Sequence, residues 1–259
     1  MKKIAVIVAS GIGSRMGLDI PKQFVRIEIK DNDKVIDKKE VLTYTLDSFQ
    51  NHDLIDEIVV VTLKDYIDHV KNEAIANNIT KLKNIVVGGD TVQESIRNGV
   101  YSLDLLAKDE DIVIIHDGVR PIVDDEVLTD VIQVCEKFGN AVSSLPYNEQ
   151  IFVIDDSNPN ITTQYINRDK LRRVSTPQAY KYAIIRKAYE EAFAKKIGIY
   201  PPSYTNNMMV DLGYALNFAK GSDKNIKLTT IDDITTFKSF KLSEYQKQKV
   251  KVKEYKKWV

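Results

Sequence analysis

Two positive charges follow a glycine turn near the beginning of the chain. The stretch VASGIGSRMGLDIPKQF, residues 8–24, places Arg15 and Lys22 seven residues apart, just after an apolar run. Glycines let backbone N–H groups approach the oxygens of an anion, and the two cations could meet charge that develops on phosphate oxygens. This combination suits nucleotidyl transfer, in which a triphosphate is held with its α-phosphorus open to attack.

Two common nucleotide-binding motifs do not fit this turn. A dinucleotide fingerprint needs G-x-G-x-x-G, whereas the spacing here is Gly11-x-Gly13-x-x-x-Gly17. A Walker A loop needs Lys and then Ser or Thr directly after its last glycine, and this is absent from the stretch. The spacing argues against an NAD-binding dehydrogenase.

Apolar runs alternate with segments of helical periodicity in the first half of the chain. The pattern predicts strands over residues 3–9, 56–63, 84–89 and 111–121, and helices over 40–51, 65–78, 91–106 and 125–139. Fully apolar strands that alternate with helices indicate an α/β fold with a doubly wound, mostly parallel sheet. Such sheets bind ligands at the carboxyl ends of their strands, where the glycine turn begins.

The pattern changes after residue 140. Short strand-like pieces interrupted by Pro and by DDSNPN predict a protruding β-arm over about 145–170, followed by a helix over roughly 181–196. We expect one catalytic domain over 1–240 and a basic surface helix or tail over 241–259.

The composition excludes several classes of protein. Among 259 residues, 37 Lys and Arg balance 37 Asp and Glu, which argues against a nonspecific nucleic-acid-binding protein. The single cysteine, Cys135, lies in a helical pattern and is expected to be a buried thiol, and one cysteine cannot form an internal disulfide. The apolar run at the N-terminus is too short for a signal peptide, and no stretch approaches the ~20 apolar residues of a membrane span. We expect a cytoplasmic protein without a membrane anchor.

The string A-x-G-x-G-x-R-M-x(4)-P-K-Q-F, residues 9–24, resembles the opening motif of the 2-C-methyl-D-erythritol 4-phosphate cytidylyltransferases and of the related ribitol 5-phosphate cytidylyltransferases. The resemblance extends over about residues 3–235. It implies a Rossmann-like nucleotidyltransferase fold and Mg²⁺-dependent transfer of CMP from CTP to a polyol phosphate. It also implies a homodimer in which each arm reaches into the site of the neighbouring subunit.

The resemblance assigns roles to the opening turn and to the segment GGDTVQESIRNG, residues 88–99. In the turn it implies catalytic roles for Arg15 and Lys22 and places the triphosphate against Ala9, Ser10, Gly11, Ile12 and Gly13. In the second segment it places the cytosine base against Gly89, Asp90 and Ser95. Asp90 or Thr91 could equally be the N-cap of the next helix. Val92 stands where these enzymes usually carry an arginine.

Three further segments resemble family motifs. In IIHDGVRP, residues 114–121, the resemblance implies that Asp117 contacts ribose and polyol and is a candidate Mg²⁺ ligand, with Gly118 allowing close approach and Arg120 supporting the site. In INRDKLRRVSTPQAY, residues 166–180, it implies that the arm residue Arg168 grips the substrate phosphate and that Thr176 and Gln178 form the wall of the site. In GSDKNIKLTTIDDI, residues 221–234, it implies a third catalytic cation at Lys227, with Asp232 or Asp233 capping the helix that follows.

One segment departs from the pattern and leaves the acceptor open. Methylerythritol enzymes usually carry Thr-Asp-Asp or Thr-Asp-Glu here, whereas this chain has Thr205, Asn206 and Asn207. Thr205 remains a candidate substrate-binding residue, but an amide donates hydrogen bonds where a carboxylate only accepts them. The two asparagines favour ribitol 5-phosphate or a similar polyol over methylerythritol phosphate. A nucleotidyltransferase for a sugar phosphate with another nucleotide, and a non-catalytic nucleotide-binding dimer, remain the alternatives.

Overall fold

The computed structural model describes residues 1–12, 19–200 and 204–255, with side chains described as far as residue 250. Its strands are β1 (Lys3–Ala9), β2 (Arg26–Asp31), β3 (Lys34–Glu40), β4 (Glu57–Thr62), β5 (Leu82–Val87), β6 (Ile112–Asp117), β7 (Asn140–Pro146), β8 (Ile151–Val153), β9 (Gln164–Ile166), β10 (Arg172–Lys181) and β11 (Phe218–Lys220). Its helices are α1 (Val41–Gln50), α2 (Ile67–Ala76), α3 (Val92–Tyr101), α4 (Asp125–Phe138), α5 (Tyr182–Lys195), α6 (Thr205–Asp211) and α7 (Ile231–Tyr255).

A central sheet runs in the order β11-β7-β10-β6-β1-β4-β5 through the described ranges. β1 pairs in parallel with both β4 and β6, and β10 is antiparallel to β6 and β7. The α/β fold with a mostly parallel sheet is therefore confirmed. The register places Ala9 beside Thr62 and Val8 beside Asp117, so the strand ends predicted to carry the site lie next to one another.

Helices cover both faces of this sheet, which explains why its central strands are apolar at successive positions. One buried cluster joins the sheet to α1, α2 and α4 and includes Phe49 and Cys135. A second joins the opposite face to α3, α5 and α6 and includes Tyr180 and Tyr189. Burial raises the pKa of the Cys135 thiol to about 12, as expected of an inert core cysteine.

Two antiparallel hairpins form separate two-stranded sheets outside the central one. β8 and β9 pair antiparallel within the segment expected to be an arm. The sequence did not predict the second hairpin, β2–β3, although in β2 the residues Ile27 and Ile29 are buried at alternating positions. Because this hairpin carries many charged residues, the alternation of buried apolar and exposed polar positions is hard to recognise in its sequence.

Some predicted boundaries were wrong. The strand predicted over 84–89 is β5, which ends at Val87, because Gly88 and Gly89 already belong to the following loop. The helix predicted over 91–106 ends at Tyr101. α7 begins at Ile231 and continues without a break across residue 240, and the domain boundary expected at that residue stays a prediction. Within residues 1–12, 19–200 and 204–255, no helix combines the length and apolar character needed to cross a membrane.

Candidate active site

The described part of the glycine turn is held by a buried glutamine. Gln23 donates from Nε2 to the carbonyl oxygens of Ala9, at 2.8 Å, and of Gly11, at 2.9 Å. Gln23 belongs to a 3₁₀ turn over Lys22–Phe24, and the Phe24 ring stacks on Tyr66 with centroids 4.3 Å apart. These contacts of Gln23 and Phe24 hold the 3₁₀ turn in place, and Lys22 is the first residue of that turn. Gly13 and Arg15, both predicted site residues, lie outside the described residues.

The loop after β5 lies against Ser10, at the start of the glycine turn. Ser95 accepts a hydrogen bond from the Gly89 N–H at 3.1 Å, and its hydroxyl lies 2.9 Å from that of Ser10. A Cβ added to Gly88 would lie 2.5 Å from the Ser10 Cβ, so only glycine allows this contact. The structure therefore brings together the predicted nucleotide-binding residues Ser10, Gly89 and Ser95.

Thr91, rather than Asp90, caps α3. The Thr91 hydroxyl accepts from the Glu94 N–H at 3.1 Å, and Glu94 accepts from the Thr91 N–H at 2.9 Å, which forms a capping box. Asp90 is exposed beside this cap and Ile12 is exposed beyond Gly11.

Asp117 sits between two cations at the end of β6. Its Oδ2 lies 2.8 Å from Arg120 Nε and 3.2 Å from Lys227 Nζ. Burial by itself would raise the pKa of Asp117, but the Lys227 ammonium and the Arg120 guanidinium outweigh it and lower the pKa to about 2. Asp117 is therefore a carboxylate at neutral pH, and it positions both cations.

Backbone contacts hold this group in place. Arg120 donates from Nη1 to the Asn225 carbonyl at 2.7 Å, and Asn225 donates to the Thr176 carbonyl at 2.5 Å. The Thr176 hydroxyl in turn accepts from the Asp117 N–H at 3.1 Å. Asn225 is two residues before Lys227, so its contacts tie the segment that carries Lys227 to Thr176 of β10 and to Arg120.

Gly118 is buried where β6 ends beside β1. A Cβ added there would lie 2.9 Å from the Ala9 Cβ and 3.0 Å from the Val8 carbonyl oxygen. The expected close approach at Gly118 is thus a contact between the two strand ends. It keeps Asp117 next to the glycine turn.

A cavity of about 350 Å³ opens at this edge of the sheet. Its lining includes Asp117, Arg120 and Lys227, and it also includes Thr205 and Asn206 at the start of α6. The remaining lining residues are Val8, Val92, Ile96, Ile115, Val174, Ser175, Thr176, Gln178, Tyr204 and Asn207. One cavity therefore brings together the predicted substrate-binding residues Asp117, Arg120, Thr176 and Thr205, together with the two asparagines.

Arg168 does not line this cavity. It lies at the base of the arm, is exposed, and donates to the Asn148 carbonyl at 2.6 Å. It borders a separate cleft with Tyr147 and Asp169. Within one chain, the arm arginine and the Asp117 group are thus in different places.

Sequence reasoning missed the buried residues whose hydrogen bonds hold the site residues in place. Gln23, Asn225 and Tyr180 are buried polar side chains whose hydrogen bonds connect segments far apart in the chain. The signal for Gln23 was its place beside Lys22 in the opening string. Tyr180 and Asn225 gave none, because their partners are set by tertiary contact.

Comparison with known proteins gives a consistent result. The family model for 2-C-methyl-D-erythritol 4-phosphate cytidylyltransferase matches residues 3–242. The ribitol-5-phosphate cytidylyltransferase of Lacticaseibacillus paracasei is 49% identical over 236 residues, which are 91% of this chain and 96% of that protein. The 2-C-methyl-D-erythritol 4-phosphate cytidylyltransferase of Clostridium tetani is 34% identical over 239 residues, covering 92% and 90% of the two chains.

The fold is also shared with solved structures. The crystal structure of 4-diphosphocytidyl-2C-methyl-D-erythritol synthase from Anaerococcus prevotii superposes with a TM-score of 0.73 at 25% identity, and the match covers 93% of this chain and 96% of that one. The chain therefore belongs to the 2-C-methyl-D-erythritol 4-phosphate cytidylyltransferase (IspD) family.

Proposed function

We propose that this protein transfers CMP from CTP to a polyol phosphate and that ribitol 5-phosphate is its preferred acceptor. The observation that carries the proposal is the Asp117 carboxylate between Arg120 and Lys227, in one cavity with Asn206 and beside the glycine turn. The acceptor is supported by the relative from Lacticaseibacillus paracasei, which is named a ribitol-5-phosphate cytidylyltransferase.

In the proposed reaction a phosphate oxygen of the acceptor attacks the α-phosphorus of CTP. The new P–O bond forms as the bond from the α-phosphorus to the β-phosphate oxygen breaks, and pyrophosphate leaves. The N–H groups of the turn at Gly11 would hold the triphosphate, with Gly13 contributing in the same way. Arg15 and Lys22 would stabilise charge on the leaving group, and positioning with charge stabilisation supplies most of such catalysis.

Lys227 would act on the phosphate that attacks or is attacked. Its ammonium lies 3.2 Å from Asp117, and its side chain is more than one-third exposed, so an incoming phosphate could approach it. Asp117 keeps the ammonium at this edge of the sheet until that phosphate arrives. The phosphate would then share the cation with Asp117.

The residues at this edge fit a magnesium ion bound mainly through substrate. Mg²⁺ is commonly held by one or two carboxylates together with substrate phosphates. Among the described residues, no group of three or more His, Cys, Asp or Glu side chains could hold a metal by itself. Asp117, the candidate ligand that the family resemblance implies, would hold the ion together with the substrate phosphates. When bound, the ion would neutralise phosphate charge and polarise the α-phosphoryl group.

We further propose that the protein is a homodimer in which Arg168 contacts the acceptor phosphate bound to the neighbouring subunit. The separation of Arg168 from the Asp117 cavity within one chain supports this arrangement. The arm also exposes Phe152, Ile154 and Tyr165, whose side chains a second subunit would cover. The cytoplasmic location expected from the sequence stays a prediction.

Pyrophosphate release tests the proposed reaction. We expect turnover with CTP, Mg²⁺ and ribitol 5-phosphate, slower turnover with 2-C-methyl-D-erythritol 4-phosphate, and little with UTP, GTP or ATP. A preference for another nucleotide would contradict the cytosine assignment. CTP binding without pyrophosphate release would favour a non-catalytic protein.

Lys22→Ala tests the mechanism. We expect kcat to fall at least ~10²-fold, the scale of losing one preorganised charge-stabilising group. Lys38→Ala is the matched control, since Lys38 pairs with Glu28 on the exposed face of the β2–β3 hairpin. Near-normal turnover of Lys22→Ala would contradict the mechanism.

A further inference from the structure

A buried tyrosine stands between two amide side chains at the floor of the cavity. The Tyr180 hydroxyl lies 3.1 Å from Gln178 Oε1 and 3.0 Å from Asn206 Oδ1. All three side chains are buried, and both amides line the cavity. Gln178 and Tyr180 are two residues apart on β10, so they point to the same face of the sheet.

One hydroxyl cannot serve both amides in the same way. A tyrosine hydroxyl has one hydrogen to donate, and an amide can present either its oxygen or its NH₂ group by a half-turn of its terminal bond. Tyr180 therefore donates to one amide oxygen and accepts from the NH₂ group of the other amide. Burial raises the pKa of Tyr180 well above its usual range, so the hydroxyl keeps its proton.

This constraint fixes what the two amides offer to the cavity. The amide that accepts from Tyr180 turns its NH₂ group away from the tyrosine, and the amide that donates turns its carbonyl oxygen away. Neither amide has another hydrogen-bond partner among the described residues. Gln178 and Asn206 together therefore present one N–H donor group and one oxygen acceptor.

A second tyrosine fixes the neighbouring threonine. Gln93 donates to the Gly198 carbonyl at 2.8 Å, so its Oε1, 2.9 Å away, accepts the Tyr189 hydroxyl hydrogen. Tyr189 lies 2.9 Å from the Thr205 hydroxyl and can then only accept from it. Thr205 is left with oxygen lone pairs for a ligand, which adds an acceptor beside Asn206.

We infer that Gln178, Tyr180 and Asn206 form a specificity-determining relay that presents paired donor and acceptor groups to the hydroxyls of a polyol. Each polyol hydroxyl both donates and accepts, so a mixed floor complements it. An aspartate at position 206 would take the Tyr180 hydrogen, and Gln178 would then turn its oxygen to the cavity. The floor would offer acceptors only. This inference rests on the proposed function, because it assigns the polyol end of the same site.

Asn206→Asp tests the relay. With ribitol 5-phosphate we expect the KM for the polyol phosphate to rise at least ~10-fold, the scale of one lost hydrogen bond in a desolvated site. We expect the KM for CTP to stay within about twofold, since among the described residues the Asn206 side chain hydrogen-bonds to Tyr180 and not to the predicted base-contacting residues Gly89, Asp90 and Ser95. An unchanged KM for the polyol phosphate would overturn the inference.

A double-mutant cycle separates the relay from simple charge repulsion. In the Tyr180→Phe background the relay is already broken, so Asn206→Asp should raise the KM for the polyol phosphate by a clearly smaller factor than in the wild-type background. Equal factors in both backgrounds would mean that the added charge alone acts, and would overturn the relay. Tyr182→Phe is the matched control, because the Tyr182 hydroxyl donates to Asp104 at the opposite edge of the sheet.

Failure of the proposed function is distinguishable from failure of the relay. If the wild-type protein releases pyrophosphate and the Asn206 and Tyr180 variants behave like it, the reaction stands and the relay is wrong. If the wild-type protein shows no turnover, the proposed function fails, and calorimetric binding of ribitol 5-phosphate to the same variants tests the relay. No binding of ribitol 5-phosphate to the wild-type protein would overturn both.

Discussion

His116 stands directly before Asp117 in β6 and is fully buried. Its Nε2 lies 3.1 Å from the Arg120 carbonyl, which can only accept, so Nε2 carries the proton. Nδ1 is buried and has no hydrogen-bond partner among the described residues. Burial lowers the pKa of His116 to about 4, and the imidazole is therefore neutral at physiological pH.

This lowered pKa predicts how stability depends on pH. Between pH 6.5 and about 4, the unfolded chain binds a proton at His116 that the folded chain does not bind. The free energy of unfolding should therefore fall as pH falls through this window, by up to about 3 kcal/mol from this group. Above pH 6.5 His116 is neutral in both the folded and the unfolded chain, so it no longer makes the free energy of unfolding depend on pH. Urea unfolding at a series of pH values measures this dependence.

His116→Leu is the comparison for that measurement. The variant loses the hydrogen bond to Arg120 and should be less stable than the wild-type protein above pH 6.5, but its stability should change less between pH 6.5 and 4. Parallel pH profiles for the two proteins would contradict the assignment. Histidine NMR titration should show the His116 ring neutral down to about pH 4.

Among individual residues, the charged site residues were easier to predict from the sequence than the buried residues that hold them in place. Asp117 and Lys227 could be found because they lie at recognisable positions in motifs, and the structure places them 3.2 Å apart. Gln23 bonds carbonyl groups 12 and 14 residues away along the chain, and Tyr180 bonds Asn206, 26 residues away. A short sequence motif does not show which distant residues form hydrogen bonds in the folded chain.

Among the elements, the arm gives the clearest functional prediction. Because Arg168 borders a cleft apart from the Asp117 cavity, its proposed role depends on a second subunit. Arg168→Ala should raise the KM for the polyol phosphate at least ~10-fold and leave the KM for CTP almost unchanged, since a guanidinium makes strong bidentate bonds to phosphate. Steady-state kinetics with each substrate varied in turn provides the measurement.

Arg173→Ala is the matched control for the arm. Arg173 lies near the arm on β10 and pairs with Asp223, away from the cavity lining. The substitution Arg173→Ala removes the same positive charge as Arg168→Ala, and it should change neither the KM for the polyol phosphate nor the KM for CTP by more than about twofold. A change confined to the KM for CTP in Arg168→Ala would show that the arm assignment is wrong.

The elements themselves were predictable where burial is two-sided. β1, β4 and β6 are apolar at nearly every position because helices cover both faces of the sheet, and their bounds were predicted to within a few residues. The β2–β3 hairpin was missed because only Ile27 and Ile29 in β2 reach a core, between charged neighbours. Residues 30–40, which include β3, are mostly charged and show no clear alternation of apolar and polar side chains.

At the scale of the whole molecule, the site depends on a third core that lies outside the sheet. Phe237 of α7 is fully buried and packs edge-on against Tyr44 of α1, with centroids 5.0 Å apart. The same cluster contains Ile27 of the hairpin, as well as Leu228. The Leu228 N–H donates to the Val119 carbonyl at 2.9 Å, so this core positions the residue that follows Lys227.

Phe237→Ala should therefore affect both stability and catalysis. Emptying a fully buried phenylalanine site costs about 3–5 kcal/mol of unfolding free energy, and the Lys227 segment loses the packing that holds it beside Asp117. Phe138→Ala is the matched control, because Phe138 at the end of α4 is more than half exposed and its loss should cost less than about 1 kcal/mol. Urea unfolding gives the stabilities, and pyrophosphate release well below the unfolding midpoint gives kcat. If Phe237→Ala were as stable as Phe138→Ala, α7 would not be part of a cooperative core. If it were destabilised but kept full kcat, the ion pair with Asp117 would hold Lys227 in place without this core.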